Sequence, residues 1–350
     1  MKLLALFAPL ILVGVYAIIM NLVHLNSGML EPNFEIINQF YRFNFFLLPS
    51  CFIFLCLFYI VLFFRSFKKA RTLFLSAFCG FVAFSLLALD YYITEVEPYR
   101  CHIREVQLFT DKISKPLKIV HFSDIQSAGV GEYEALVFEK ITSINPDLIL
   151  YTGDFLQLGK DREFNKEWSK LLVLFKQLNP RFGIYAVFGD TELELYSRSK
   201  AELMPIRMLS STTSQFEFEG GTVSILGLSL FQSKRPLWAM RSIEPWIESS
   251  DEELFKIALG HSPNFALALK DTPVDLCLAG HTHGGQVRVP FFGPLTIYSM
   301  IPKEWALGFR QIGLPYLNVT AGVGSNRYGG LPPIRFNCPT ELTVIELLPK

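Results

Sequence analysis

The chain opens with three long apolar runs and then changes rhythm. Residues 3–23, 45–64 and 72–89 contain no Asp, Glu, Lys or Arg, and each is near the ~20 residues that carry a helix across a bilayer. They predict three transmembrane helices. The first run is too long for the apolar core of a signal peptide, has only Lys2 before it and shows no clear small-x-small cleavage pattern, so it is expected to stay. Basic residues orient the set. The link RSFKKAR at 65–71 carries Arg65, Lys68, Lys69 and Arg71, whereas the first link, about 24–43, sets Arg42 against Glu31 and Glu35. Positive-inside reasoning puts 65–71 in the cytoplasm and everything after about Asp90 on the outer, periplasmic side of an inner (cell) membrane. His24 and His102 flank these spans and are expected at the interface.

From about residue 103 short strands alternate with helices. REVQLF (104–109), LKIVHFS (117–123), DLILYTG (147–153) and FGIYAVFG (182–189) read as strands, separated by helical spacing over 132–144 and about 163–178. A mixed stretch at 190–222 has no clear period. TVSILGLSL (222–230), FKIALG (255–260), VDLCLAG (274–280), GQVRVP, PYLNVTAG and TELTVIEL continue the strands. The pattern predicts an α/β (layered α+β) domain, a two-sheet β-sandwich flanked by helices, over 96–350, preceded by a membrane domain over 1–95.

Composition changes this picture little. Hydrophobic residues make up 51% of the 350, and 32 basic residues balance 32 acidic ones. No basic tract lies beyond the membrane link, so nothing points to nucleic acid. Of six cysteines, Cys51, Cys56 and Cys79 fall in the apolar runs and Cys277 in a buried strand; Cys101 and Cys338 can pair only if the two ends of the domain lie side by side.

The chemistry collects where strands end. KIVHFSD closes on Asp124 with Gln126 two residues on, LILYTGD on Asp154, YAVFGD on Asp190, KIALGH on His261, and LCLAGH on His281 with His283 following. Residues two apart in extended chain point the same way, so His281 and His283 can converge while Gly280, Gly284 and Gly285 permit close approach. A single Gly-Asp after a strand is ordinarily a turn. Five such ends, using three Asp and three of only six His, point to one metal-binding place. Carboxylate and imidazole donors suit Mn, Fe or Zn better than Ca or Mg. His121, inside its strand, reads as a packed or supporting imidazole.

The order of these motifs resembles the calcineurin-like metallophosphoesterase superfamily. HTHGGQVRVP and GGLPPIRFNCPTELTVIEL resemble its membrane-associated bacterial branch, which includes a wall-associated phosphoesterase and an enzyme that cleaves UDP-diacylglucosamine. The likeness covers about 103–350. It implies two divalent metal ions bridged by Asp154, the first held with Asp124, the position of Gln126, and His283, the second with the position of Asp190, His261 and His281. Asp154, Asp190 and His281 are then the catalytic candidates. A pair of ions about 3.5–4 Å apart clamps a phosphate and activates water, so no protein nucleophile is needed.

Two positions depart from the family pattern. Gln126 stands where the pattern has His, a weaker neutral ligand. GDTE at 189–192 stands where the pattern has Gly-Asn-His and an acid, so Asp190 replaces Asn and Thr191 replaces the His that helps protonate a leaving group. Loss of a general acid costs roughly 10²–10⁴-fold, which leaves the two-metal contribution. The expectation is a membrane-anchored phosphoesterase acting on a diester or pyrophosphate, with a phosphorylated small-molecule or lipid substrate and membrane lipids as partners. The alternative is a degenerate metal-binding homologue that binds or senses a lipid or wall precursor. Arg327, Tyr328 and Arg335 are possible phosphate contacts only by analogy with the position of such loops.

Overall fold

The computed structural model describes residues 4–30, 34–65, 69–159, 162–195 and 199–350. Lys2, Glu31 and Lys68, used above to orient the membrane segment, lie outside the described residues. The chain divides into two compact units, Met1–Val96 with Arg327–Pro332, and Glu97–Asn326 with Pro333–Lys350.

The first unit holds α1 (Leu4–Leu30), α2 (Phe34–Arg42), a π-turn (Phe43–Leu47) running into α3 (Leu48–Arg65), and α4 (Lys69–Tyr91). Three stretches, Ala5–Ser27, Glu35–Arg65 and Lys69–Tyr99, are long and apolar enough to cross a membrane. The expected open link over 24–43 is helical except for the undescribed residues. Small residues let α3 and α4 approach closely. Ser76, Cys79 and Ala83 of α4 are buried, and the Cα of Gly80 faces Cys56, which an added Cβ would meet at 3.5 Å. Several polar groups inside the bundle are paired: Tyr59 Oη donates to the Leu6 carbonyl (2.8 Å), Ser76 Oγ to the Cys56 carbonyl (3.1 Å), and the Asn21 and Asn44 amides exchange bonds (3.1 and 2.8 Å). Phe54, Phe64, Phe81 and Phe84 point outward. His24 is buried, its ring packed against Phe40 and Phe43.

The second unit contains fourteen strands among the described residues: β1 (His102–Thr110), β2 (Leu117–Phe122), β3 (Leu148–Tyr151), β4 (Ile184–Val187), β5 (Ile206–Leu209), β6 (Thr212–Phe218), β7 (Gly221–Gly227), β8 (Phe255–Leu259), β9 (Leu276–Ala279), β10 (Arg288–Val289), β11 (Gly293–Pro294), β12 (Gly308–Gln311), β13 (Tyr316–Val319) and β14 (Glu341–Pro349). Its helices are α5 (Glu132–Ile144), α6 (Phe164–Gln177), α7 (Lys200–Leu203), α8 (Leu230–Ser233) and α9 (Pro236–Ser249). One six-stranded sheet runs β1-β14-β2-β3-β4-β5 and the other β12-β13-β9-β8-β7-β6. Within them β2, β3 and β4 are mutually parallel, as are β7, β8 and β9.

Both faces of the central strands are covered, which is why they read as mainly apolar runs, interrupted by Lys118 and His121 in β2 and Lys256 in β8. Ile119, Leu148, Leu150, Tyr185 and Val187 meet Val223, Ile225, Ile257, Leu259, Leu276 and Leu278 between the sheets. Outside the first sheet, Val120, Phe122, Ile149 and Tyr151 pack on Val137, Phe138, Ile141, Leu171 and Phe175 of α5 and α6. Outside the second, Ala258, Cys277, Leu317 and Val319 pack on Ala239, Ile243 and Trp246 of α9. The result is the expected sandwich of two sheets flanked by helices.

Three local expectations change. The stretch 190–222 holds β5 and β6; β6 is a sheet edge whose Gln215 and Glu217 face out, so its alternation carries few apolar positions. GQVRVP supplies only the two residues of β10, paired with β11, because Pro290 lacks a donor and Phe291 and Gly293 take positive φ (66° and 85°). Helix α9, with Pro245 inside it, is not announced by the pattern. All six cysteines are free.

Candidate metal centre

The parallel strands of each sheet deliver their following loops to one end, where such folds place ligands. β2, β3 and β4 lead to Asp124, Asp154 and Asp190; β8 and β9 lead to His261, His281 and His283. These six side chains form two groups. Asp124, Asp154 and His283 have ligand atoms within 4.8 Å of one another, and so do Asp190, His261 and His281. The expected catalytic candidates Asp154, Asp190 and His281 are therefore divided between the groups. Gln126 joins the first, its Nε2 donating to Asp154 Oδ2 at 2.5 Å.

The groups touch. His261 Nε2 lies 3.5 Å from Asp154 Oδ2, 3.5 Å from Asp190 Oδ2 and 3.2 Å from His281 Nδ1. His281 Nδ1 is 3.1 Å from Asp190 Oδ2, and His283 Nε2 is 3.3 Å from Asp124 Oδ1. Asp124, Gln126, Asp154, His261 and His283 are buried, whereas Asp190 is exposed and His281 partly so. The second group is the open one.

The loops are forced into unusual backbone to achieve this. Asp124 (φ 53°), Gln126 (37°), Asp154 (64°), His281 (67°) and His283 (49°) all lie in the left-handed region, at about 1–3 kcal/mol each for a non-glycine residue. Such strain persists only where the surroundings over-determine it. Gly189 and Gly280 supply room: a Cβ at the first would strike the Asp154 carboxylate, and at the second Ser123 and Asp124.

Four of the six side chains have a partner that fixes them. Asp154 Oδ1 accepts from the Asp190 N–H (2.5 Å) and the Thr191 N–H (3.0 Å). The His281 N–H reaches the Asp124 carboxylate at 3.1 Å. His261 Nδ1 donates to the Thr152 carbonyl (2.7 Å), which frees Nε2 as the ligand atom, and His281 Nε2 faces the Tyr298 carbonyl (3.3 Å), which frees Nδ1. Thr152 in turn meets His121 Nε2 through its hydroxyl (3.0 Å), and His121 Nδ1 accepts from Asn318 Nδ2 (2.7 Å). His121 is thus a supporting imidazole, bridging the sheets behind the site.

The electrostatics call for positive charge at the centre. Burial lowers the His261 pKa, yet Asp154, Asp190 and Asp124 together raise it to about 10. Burial raises Asp190, but bonds from His261 and His281 outweigh it and hold the carboxyl well below the usual range. Burial pushes Asp124 up to about 6 against the pull of His261. A divalent cation supplies the charge these carboxylates seek. Two buried atoms, Gln126 Oε1 and His283 Nδ1, have no hydrogen-bond partner among the described residues; an amide rotation offers Gln126 Oε1 to the first group. The donor set fits the implied metals.

Thr191 and Glu192 do not replace the missing general acid. Thr191 Oγ1 donates to Glu192 Oε1 at 3.2 Å. Glu192 is buried, raised to about 8 by desolvation and the Asp154 charge, and spent on the N–H groups of Phe155 and Gly189. It buttresses the turn, a role its spacing in GDTE does not announce. Arg335 is buried as well, and it donates to the carbonyls of Ala321 (2.7 Å), Gly324 and Cys338 (3.0 Å) and to Ser325 Oγ (3.1 Å). It clasps the C-terminal loop and is not available to a phosphate. Arg327 and Tyr328 belong to the first unit, and of Tyr328 only the backbone is described.

Residues 117–285 match the family model described as calcineurin-like phosphoesterase. The chain is 28% identical to the uncharacterised metallophosphoesterase YkuE of Bacillus subtilis, over 80% of this chain and 98% of that protein. It is 30% identical to the phosphodiesterase YaeI of Escherichia coli, over 70% of this chain and 87% of that protein. Among solved structures, the E. coli phosphoesterase Yfce matches 61% of this chain and 84% of that one at 15% identity with a TM-score of 0.28, too slight a likeness for residue-level comparison.

Proposed function

Because the chain belongs to the calcineurin-like phosphoesterase family, we propose that it is a membrane-anchored, dinuclear-metal phosphoesterase that hydrolyses a phosphodiester or pyrophosphate. The observation that carries this reading is the meeting of two three-residue groups at Asp154, which belongs to one group and whose Oδ2 lies 3.5 Å from His261 Nε2 of the other. Asp124, Gln126, Asp154 and His283 would hold the first ion; Asp154, Asp190, His261 and His281 the second. Divalent ions such as Mn, Fe or Zn would supply Lewis acidity toward a phosphoryl oxygen and lower the pKa of water.

The chain's own part is orientation. Asp154 is locked by two backbone N–H groups, so it cannot swing with load. Asp190 and His281 form the open edge and are where a phosphoryl group would first arrive. A diester is favoured by the name of the E. coli relative, a phosphodiesterase. Lipid- or wall-linked phosphates and membrane lipids are the proposed partners, given the three apolar helices, and positive-inside reasoning from Arg65, Lys69 and Arg71 supports the outer face as the location of the second unit.

Hydrolysis of bis-p-nitrophenyl phosphate by the detergent-purified full chain with Mn²⁺, beside Asp154→Ala, tests the reading. Turnover that disappears in the variant is expected. Equal turnover in the variant would sink the two-metal mechanism. The engaged hydroxyl of Thr191 favours one rival, a metal-binding homologue that senses or binds a precursor. Bound metal by elemental analysis without turnover would establish that rival, and Thr191→His would then be expected to restore hydrolysis.

A further inference from the structure

Relative to the family pattern, this site has gained a carboxylate at Asp190 and lost an imidazole at Thr191. Uncompensated, that change would repel an anionic phosphodiester at the open edge. The structure holds a compensating charge there. Lys234, just past α8, places Nζ against Asp190 Oδ1, while Asp190 Oδ2 faces His281 Nδ1 (3.1 Å) and His261 Nε2 (3.5 Å). The two oxygens of one carboxylate are divided between the ammonium and the imidazoles.

The lysine is held in place by the loop that carries His261. Its carbonyl accepts from Asn264 Nδ2 (3.2 Å), and Asn264 Oδ1 accepts from Ser299 Oγ (2.6 Å) and the Met300 N–H (2.8 Å). The Ser262 N–H donates to Ser233 Oγ at 3.3 Å, tying α8 to the same loop. Both side chains remain about one-third exposed, 35% for Lys234 and 34% for Asp190, so a substrate can reach the pair.

We propose that Lys234 is the positioning and charge-balancing partner of Asp190: it holds the carboxylate through Oδ1, turns Oδ2 to the metal side, and offsets the negative charge an anionic phosphodiester would meet. The proposal rests on Asp190 being a metal ligand. It gives Lys234 two opposed effects, since its charge weakens the hold on a cation and strengthens the hold on an anion.

The test uses the full chain in detergent with Lys234→Met, Lys234→Arg, Asp190→Asn and the double variant Asp190→Asn/Lys234→Met. Mn²⁺ binding is read from the free-ion EPR signal, and KM and kcat from bis-p-nitrophenyl phosphate. Lys234→Met is expected to bind Mn²⁺ about tenfold more tightly and to raise KM about tenfold, with a smaller change in kcat, the size of one partly screened charge. Lys234→Arg should keep both values. In the Asp190→Asn background Lys234→Met should shift either value by less than about threefold, because the carboxylate that the ammonium balances and aims is gone. Merely structural damage would weaken both affinities together. Unchanged or weaker Mn²⁺ binding in Lys234→Met, or additive effects in the double variant, would overturn the pairing. If the parent binds Mn²⁺ without turnover, tighter binding in Lys234→Met still upholds the pair while the hydrolase reading fails.

Discussion

The two sheets contribute opposite chemistry to the same seam. All three aspartates leave β2, β3 and β4 of one sheet, and all three histidines leave β8 and β9 of the other. Their supports are opposite too. Carboxylates are aimed by N–H donors, as Asp154 is by Asp190 and Thr191, and Asp124 by His281. Imidazoles are aimed by carbonyls, His261 by Thr152 and His281 by Tyr298. Two of these bonds cross the seam, both donated from the imidazole side, one to the Asp124 carboxylate and one to the Thr152 carbonyl, so neither half of the site is set without the other. Both losses from the family pattern, Gln126 and Thr191, fall on the carboxylate side. The imidazole side keeps all three of its donors.

Breaking the imidazole side should therefore cost most. His261→Ala removes the side chain that touches both groups, and turnover of bis-p-nitrophenyl phosphate with Mn²⁺ should fall by at least about 10³-fold with loss of bound metal. Retention of both metals by elemental analysis would show that the carboxylates alone set the site.

Next in size is the clasp beneath the seam. Arg335→Met strips donors from the carbonyls of Ala321, Gly324 and Cys338, the first and last of them buried, and stability should drop by about 3 kcal/mol, read as a lower unfolding midpoint in detergent. An unchanged midpoint would mean that these carbonyls find other donors.

His121 links the sheets behind the site and offers a test by pH. Burial holds it near a pKa of about 3 instead of 6.5. Between those values the unfolded chain takes up a proton that the folded chain refuses. The stability it contributes is thus complete above about pH 6.5 and is lost as pH falls toward 3, by about 1.4 kcal/mol per unit. His121→Gln, which can still bond Asn318 and Thr152, should lose about 2 kcal/mol less than the parent between pH 6 and 4.5. Parallel profiles would show that His121 is not held neutral.

The smallest expected effect sharpens the asymmetry directly. Gln126→His returns an imidazole to the carboxylate side and should lower the Mn²⁺ concentration for half-saturation about tenfold. No gain would mean that the first ion does not depend on position 126.

What was legible in the chain was local. Mainly apolar runs followed by Asp or His disclosed β2, β3, β4, β8 and β9 and the six candidate donors, because a strand buried on both faces is predominantly apolar and a polar residue at its end marks where it leaves the core. Charge-free runs likewise disclosed three helices long and apolar enough to cross a membrane. Other features stayed hidden. β6 is an edge with a solvated face, and α9 carries a proline, so neither shows a strong period. The roles of Glu192, Arg335 and Lys234 could not be read from spacing, since their partners lie on other loops: Glu192 on Phe155, Arg335 on Ala321 and Gly324, Lys234 on Asp190. Sequence alone marked the candidate ligand residues and the strand that each one follows. Only the tertiary structure decided how they group, because charge pairing and burial depend on distances across two sheets that the order of residues along one chain does not record.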